Sequence, residues 1–331
     1  MANLGLWIQG ARLRTLPLAL APALLANGAA YFSTLSTAYI EGHGAPANRL
    51  TPALAPSAPG LPGPAAPGQD YSQPYFWAVA ALTTLVALAL TVGVNFANDY
   101  SDGVRGTDDV RLGPARLTGG GLARPEKVRA AAFVSFGVAA AAGLAVVALS
   151  GHWWLLSLGV AAIAAAWFYT GGKRPYGYAG LGEVAVFIFF GLVAVLGILY
   201  VQRDYLVAGD LWLALPMGAY ACAVLMVNNI RDIATDTTAG KHTLAVRLGT
   251  RGARWAFTAL LAVPPLAAVM TAPFSTAFPF AVLLALAAAV IALPVLRGAQ
   301  GRDLITALQR ASALTLAYSA TWVLLWVFAA L

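Results

Sequence analysis

The chain has 331 residues, of which 60% are hydrophobic and 10% charged, with a formal net charge of +7. A soluble domain carries about 25% charged residues, so this composition excludes a soluble globular protein and implies one built into a membrane. A single cysteine, Cys222, excludes both a disulfide framework and a cysteine-ligated zinc site.

A bilayer core takes about 20 apolar residues per helix. Nine spans are expected, at 16–36, 75–97, 128–149, 153–170, 181–201, 209–228, 255–271, 275–296 and 312–331. The fold class is therefore all-α, a polytopic bundle of nine transmembrane helices forming one integral-membrane domain over 1–331. The first run follows Arg12 and Arg14 and has no small-residue cleavage site, so it reads as a retained span rather than a signal peptide. Between the first two spans, the Pro/Ala/Gly-rich segment 37–74 cannot build a core and is expected to be a disordered external loop insertion. Pro273 and Pro279 are expected to part the seventh span from the eighth. Trp153, Trp154, Trp212, Trp322 and Trp326 read as interfacial or lipid-facing aromatics.

Nine spans divide the connections between two sides. Of the 20 Lys and Arg residues, all but Arg49 and Arg203 fall on the side of the N-terminus. Cytoplasmic loops carry the excess of positive charge. That side is expected to be cytoplasmic, with the C-terminus outside, in a multi-pass protein of the cell membrane. The net positive charge is thus a topology signal, and no nucleic-acid partner is expected.

The 13 acidic residues are concentrated. The stretch VNFANDYSDGVRGTDD closes the second span and holds Asn95, Asn98, Asp99, Asp102, Asp108 and Asp109. Spacing of three, four and seven residues puts amide and carboxylate groups on one helical face. Gly103 and Gly106 then allow a turn that brings Asp108 back. The stretch VNNIRDIATD closes the sixth span, with Asn228, Asp232 and Asp236 four residues apart. Two facing carboxylate clusters make a hard-oxygen site for Mg²⁺, which completes its shell with water and substrate phosphates. Arg105, Arg116, Lys173, Arg174, Arg231 and Lys241 lie on the same side as donors for phosphate oxygens. Glu183 opens a span and reads as an acid at a helix N-terminus. The three histidines are dispersed, and no Ser/His/Asp or Cys/His constellation is present.

NDYSD followed by NNIRDIATD, each at the cytoplasmic end of a span, resembles the UbiA superfamily of intramembrane aromatic prenyltransferases. ARLRTLPLALAP, RLGPARLTGGG and YTGGKRPYGYAGLGEVAVFIFFG are similar to segments of the branch acting on 1,4-dihydroxy-2-naphthoate. The superfamily pattern is often NDxxDxxxD; here the acid after Asp102 comes at Asp108, a longer spacing that resembles this branch. Arg14 stands where the branch has Lys.

The resemblance implies Mg²⁺-dependent transfer of a polyprenyl group from polyprenyl diphosphate to 1,4-dihydroxy-2-naphthoate. CO₂ and diphosphate leave, and a demethylmenaquinone forms for menaquinone biosynthesis. It implies metal and diphosphate positions at Asn98, Asp102 and Asp108, with Asp99 adjacent, and at Asp232 and Asp236. Asp102, Asp108, Asp232 and Asp236 are the implied catalytic acids. Asn95, Asn228 and Arg231 flank them; Arg105, Lys173, Arg174 and Lys241 are expected on diphosphate. Arg12 or Arg14 is expected on the acceptor carboxylate, and Tyr169 and Tyr176 around its ring. The alternatives are a related enzyme acting on 4-hydroxybenzoate or homogentisate, and a cation-coupled transporter.

Overall fold

A computed structural model describes residues 4–43, 73–106, 116–271 and 274–330. Every regular element among them is helical. A short α1 (Leu4–Gly10) leads through a 3₁₀ turn into α2 (Pro17–His43). Then follow α3 (Gln73–Val104), α4 (Pro125–Ser150) and α5 (Leu155–Phe168). The next span is α6 (Gly182–Val186), a π-helical turn (Phe187–Val193) and α7 (Ala194–Arg203). The chain ends with α8 (Leu211–Thr238), α9 (Leu244–Thr271), α10 (Phe274–Leu296) and α11 (Arg302–Ala330).

Seven of these helical segments are long and apolar enough to cross a membrane, and an eighth results if α2 and the helix before it, bent by 53°, count as one span. The expected ninth, α5, has only 14 residues, about 21 Å at 1.5 Å per residue. That is shorter than a hydrocarbon core of about 30 Å. Among the described residues there are thus seven or eight membrane-length helices and one short apolar helix, which does not confirm a count of nine full spans.

Several boundaries also move. α2 continues to His43, because no glycine or proline intervenes between Gly28 and Gly42. Residues 37–43 are thus helix rather than loop; 44–72 lie outside the described residues. Pro279 sits inside α10 rather than at its boundary, and α11 begins at Arg302. α9 is broken near its start, where Gly249 takes φ 67°. α3 and α8 run beyond their expected apolar ends, so Asn95, Asn98 and Asp102, like Asn228, Asp232 and Asp236, are helical and keep a common face.

α8 is the central helix, buried along most of its length. It packs on α9, the π-helical turn and α11, while α2 packs on α11 and α7. Gly191 in the π-helical turn crosses α8 so closely that a Cβ there would lie 2.7 Å from the Gly218 Cα. Trp322 and Trp326 are buried in this larger core rather than lipid-facing; Trp153, Trp154 and Trp212 are exposed as expected. A second core joins α3, α4 and α5 around Phe96, Leu117 and Phe136. Exposed Leu266, Leu283, Val290 and Phe328 give the bundle an apolar exterior suited to lipid. At the side away from the acid clusters, Arg203 and Asp210 form a buried ion pair.

Candidate active site

A cavity of about 520 Å³ lies between the two cores. Its polar end takes the last turns of α3 and α8, and its apolar lining extends along α3, α4, α5 and α7 as far as Leu155 and Val201.

The chain's start reaches this cavity through a break. Arg12 adopts a left-handed conformation, φ 53° and ψ 61°, which costs an L-residue about 1–3 kcal/mol. Thr15 Oγ1 donates to the Arg12 carbonyl, and Asn95 Nδ2 donates to Thr15 Oγ1 and the Ala11 carbonyl. Those bonds hold the bend, and Arg12 lines the cavity. Arg14, the other expected carboxylate holder, is not among the lining residues; its carbonyl accepts from Ser312.

On α3, Asn95, Asn98 and Asp102 line the cavity, as their one-face spacing requires. Asp99 turns the other way. Its two oxygens accept from the backbone N–H groups of Leu117 (2.9 Å) and Thr118 (2.8 Å), and the residue is 1% exposed. Expected either as a metal ligand or as a group supporting one, it anchors the segment after the acid motif. Gly103 permits that approach, since a Cβ there would stand 2.7 Å from the Gly119 nitrogen. Asp108 and Asp109 lie outside the described residues.

On α8, Asn228, Asp232 and Asp236 all line the cavity. Arg231 Nε and Nη2 each donate to Asp232 at 2.7 Å, and Nη2 also donates to Asn228 Oδ1. Arg231 thus orients these two groups and is absent from the lining. The clusters meet through Lys241. Its Nζ donates to Asp102 Oδ1 at 3.1 Å and lies 3.9 Å from Asp236 Oδ1. A backbone bond from Lys241 to the Asp236 carbonyl fixes its approach. Arg116 adds a guanidinium 3.8 Å from Asp102 Oδ2.

The connection after α5 closes the site. Tyr169, Thr170, Tyr176 and Tyr178 line the cavity. Thr170 Oγ1 donates to Asn98 Oδ1 (2.8 Å), and the Tyr178 hydroxyl donates to Asp102 Oδ1. Arg105 does not reach the cavity; it donates to the carbonyls of Thr170 and Gly172 and so ties this connection to α3. Lys173 and Arg174 are exposed and also stand outside the lining. Burial pushes the Tyr176 phenol up to about 12. Burial and the neighbouring Asp102 carboxylate raise Tyr178 further. Both are protonated donors at neutral pH.

Among the lining residues that sequence reasoning missed are Tyr178, Thr170 and Asn229. Tyr178 differs from Tyr176 by nothing visible in sequence. Asn229 does sit beside Asn228 in the second motif.

Among the described residues, no three His, Cys, Asp or Glu side chains gather closely enough to hold a metal by themselves. The donor set nevertheless suits Mg²⁺. Asp102, Asp232 and Asp236 offer hard carboxylate oxygens to one cavity, and Mg²⁺ typically takes one or two carboxylates with substrate phosphates. An ammonium between Asp102 and Asp236 marks the place where positive charge is stabilised from both helices.

The profile of the UbiA prenyltransferase family matches residues 65–317. A 1,4-dihydroxy-2-naphthoate octaprenyltransferase of Mycobacterium tuberculosis is 44% identical over 313 residues, covering 93% of this chain and 92% of that one. The Mycobacterium leprae protein of the same name is 46% identical, covering 79% and 75%. A UbiA homolog from Archaeoglobus fulgidus, solved bound to GPP and Mg²⁺, superposes with a TM-score of 0.56 at 14% identity, covering 94% and 98%.

Proposed function

The chain belongs to the UbiA prenyltransferase family, and on that premise we infer that it is a multi-pass membrane prenyltransferase of menaquinone biosynthesis. It transfers a polyprenyl group from polyprenyl diphosphate to 1,4-dihydroxy-2-naphthoate. The allylic C–O bond breaks, the electron-rich ring supplies the electron pair of the new C–C bond, and CO₂ and diphosphate leave. The observation that carries this reading is the Asp102–Lys241–Asp236 bridge, which joins both acid clusters at the mouth of an apolar cavity.

The roles follow from position. Asp102, Asp232 and Asp236 would hold Mg²⁺, with Asn98 beside them. When bound, Mg²⁺ supplies positive charge that lowers the energy of the departing diphosphate. Lys241 and Arg116 add preorganised positive charge at the same place, where it counts for more than in water. Arg12 takes the acceptor carboxylate, and Tyr169 and Tyr176 flank its ring. The apolar lining takes the prenyl tail and keeps water from the allylic cation. In the membrane, the acid end faces the cytoplasm and the C-terminus lies outside, following the positive charge. The transporter alternative has no support in these features.

The test is a competition assay on membranes containing the protein, Mg²⁺ and geranylgeranyl diphosphate. It offers equal 1,4-dihydroxy-2-naphthoate, 4-hydroxybenzoate and homogentisate, with products identified by mass spectrometry. A decarboxylated prenyl-1,4-naphthoquinol, detected as such or as the quinone that air oxidation gives during work-up, is expected, and EDTA should abolish it. Asp102→Ala and Asp236→Ala should each lower turnover by at least about 10²-fold while still inserting in the membrane. Prenylation of either other acceptor alone overturns the acceptor assignment. Normal turnover in either variant overturns the two-cluster metal site.

A further inference from the structure

Glu183 is an acid that none of these roles uses. It stands in the first turn of α6 and is 7% exposed. A carboxyl placed inside a membrane bundle is costly, and such groups mark functional sites by default. Its Oε1 accepts from Asn229 Nδ2 at 3.2 Å. Its backbone carbonyl accepts from the Cys222 thiol, which fixes the start of α6 against α8. Next to it, Gly182 lies close under the Tyr169 hydroxyl, 3.2 Å from where a Cβ would be.

Asn229 lines the cavity and is 9% exposed. The bond to Glu183 takes one Nδ2 hydrogen and fixes the plane of the amide, so its carbonyl oxygen, beside the second Nδ2 hydrogen, is set as an acceptor for an O–H donor. Its depth decides which substrate supplies that donor. Asn229 is three residues before Asp232 on α8, so it sits about 4.5 Å deeper at 1.5 Å per residue. It therefore lies below the acids that face the diphosphate and above the apolar tail lining. That is the level at which the allylic carbon must meet the ring. The prenyl tail has no hydroxyl, whereas the aromatic acceptor has two.

We propose that Glu183 is a positioning residue that holds the Asn229 amide to accept a hydrogen bond from a ring hydroxyl of the aromatic acceptor. The inference rests on the prenyl-transfer reading and deepens it. Holding the ring by a hydroxyl as well as by its carboxylate sets which carbon faces the allylic centre, and such positioning lowers the entropic part of the barrier.

The test is steady-state kinetics of the full chain in detergent, varying 1,4-dihydroxy-2-naphthoate and geranylgeranyl diphosphate separately. Glu183→Ala and Asn229→Ala should each raise the acceptor KM about tenfold, the scale of one lost hydrogen bond. The donor KM should stay within about twofold. The double variant should add nothing to the larger single effect. Glu183→Gln keeps a side-chain oxygen that accepts from Asn229, so it should restore most of the acceptor KM. This rescue also separates positioning from a need for the charge. If Glu183→Ala does not fold, Asn229→Ala and Glu183→Gln carry the test. Wild-type turnover with an unmoved acceptor KM in Asn229→Ala overturns this inference alone. So does a Glu183→Gln variant whose acceptor KM rises about tenfold or more, or an equal rise in both KM values for Asn229→Ala. A wild-type chain that prenylates none of the three aromatic acceptors overturns the prenyl-transfer reading and this inference with it.

Discussion

Asp99 separates two accounts of one motif, and its substitution measures the difference. The carboxylate accepts two backbone N–H bonds, from Leu117 and Thr118. Leu117 is itself 1% exposed, so water is poorly placed to replace a lost partner. Asparagine offers one acceptor oxygen and turns its amide nitrogen toward the other N–H. One backbone donor is then stranded against a second donor. A hydrogen bond to a charged group contributes about 1.5–3 kcal/mol, so Asp99→Asn should destabilise by about that amount. Asp99→Ala strands both donors and should cost about 3–6 kcal/mol by the same reasoning. Gly103→Ala presses on the same segment from below, because its Cβ would meet the Gly119 nitrogen. Thermal melting in detergent reads the stability. A Mg²⁺ titration of turnover reads the other account. The expected result is a lower melting midpoint, with the half-saturating Mg²⁺ concentration within about twofold of wild type. A variant that melts like wild type but needs about tenfold more Mg²⁺ would refute the anchoring argument. It would return Asp99 to the metal ligands.

Two further outcomes concern the scaffold. Asp210→Ala leaves the Arg203 guanidinium buried without its carboxylate, an arrangement that costs about 3–5 kcal/mol when one partner of a buried pair is removed. The melting midpoint should fall, and an unchanged midpoint would show that the pair contributes little. Gly191→Ala forces a methyl into the backbone of α8. Overpacking of this kind costs about 1–3 kcal/mol, so the variant should melt earlier, and wild-type melting would mean the crossing has slack.

Most of the architecture was legible because bilayer and water impose strong sorting on a chain. Apolar runs located the helices, and the one-sided placement of Lys and Arg supports the proposed orientation. The acid motifs were legible for a similar reason. Polar groups at the ends of apolar spans are conspicuous, and a helical period of 3.6 residues put Asp102 on the face of Asn95 and Asp236 on the face of Asp232. Hydropathy was less informative about lengths. It made α5 a full span because Trp153 and Trp154 before the helix and Tyr169 after it extend the apolar composition beyond Leu155–Phe168. It ended α2 too early because moderate polarity does not stop a helix.

What each polar side chain touches depends on elements far apart in sequence. Arg12 and Arg14 look equivalent along the chain, yet only Arg12 enters the cavity lining, through a left-handed bend held by Asn95 from α3. Asp99 and Asp102 are three residues apart, and the packing of residues 117–118 against α3 gives one to the backbone and leaves the other in the cavity. Arg105, Lys173, Arg174 and Arg231 have the right charge for diphosphate. Two of them are spent on carbonyls or a neighbouring carboxylate, and two face outward. Tyr178 and Lys241 meet Asp102 only when the connection after α5 and the residues after α8 fold over α3, and Asn229 meets Glu183 only when α6 packs on α8. Composition and period are local quantities that a chain carries by itself. Hydrogen-bond partners across tens to hundreds of residues exist only once the helices have packed.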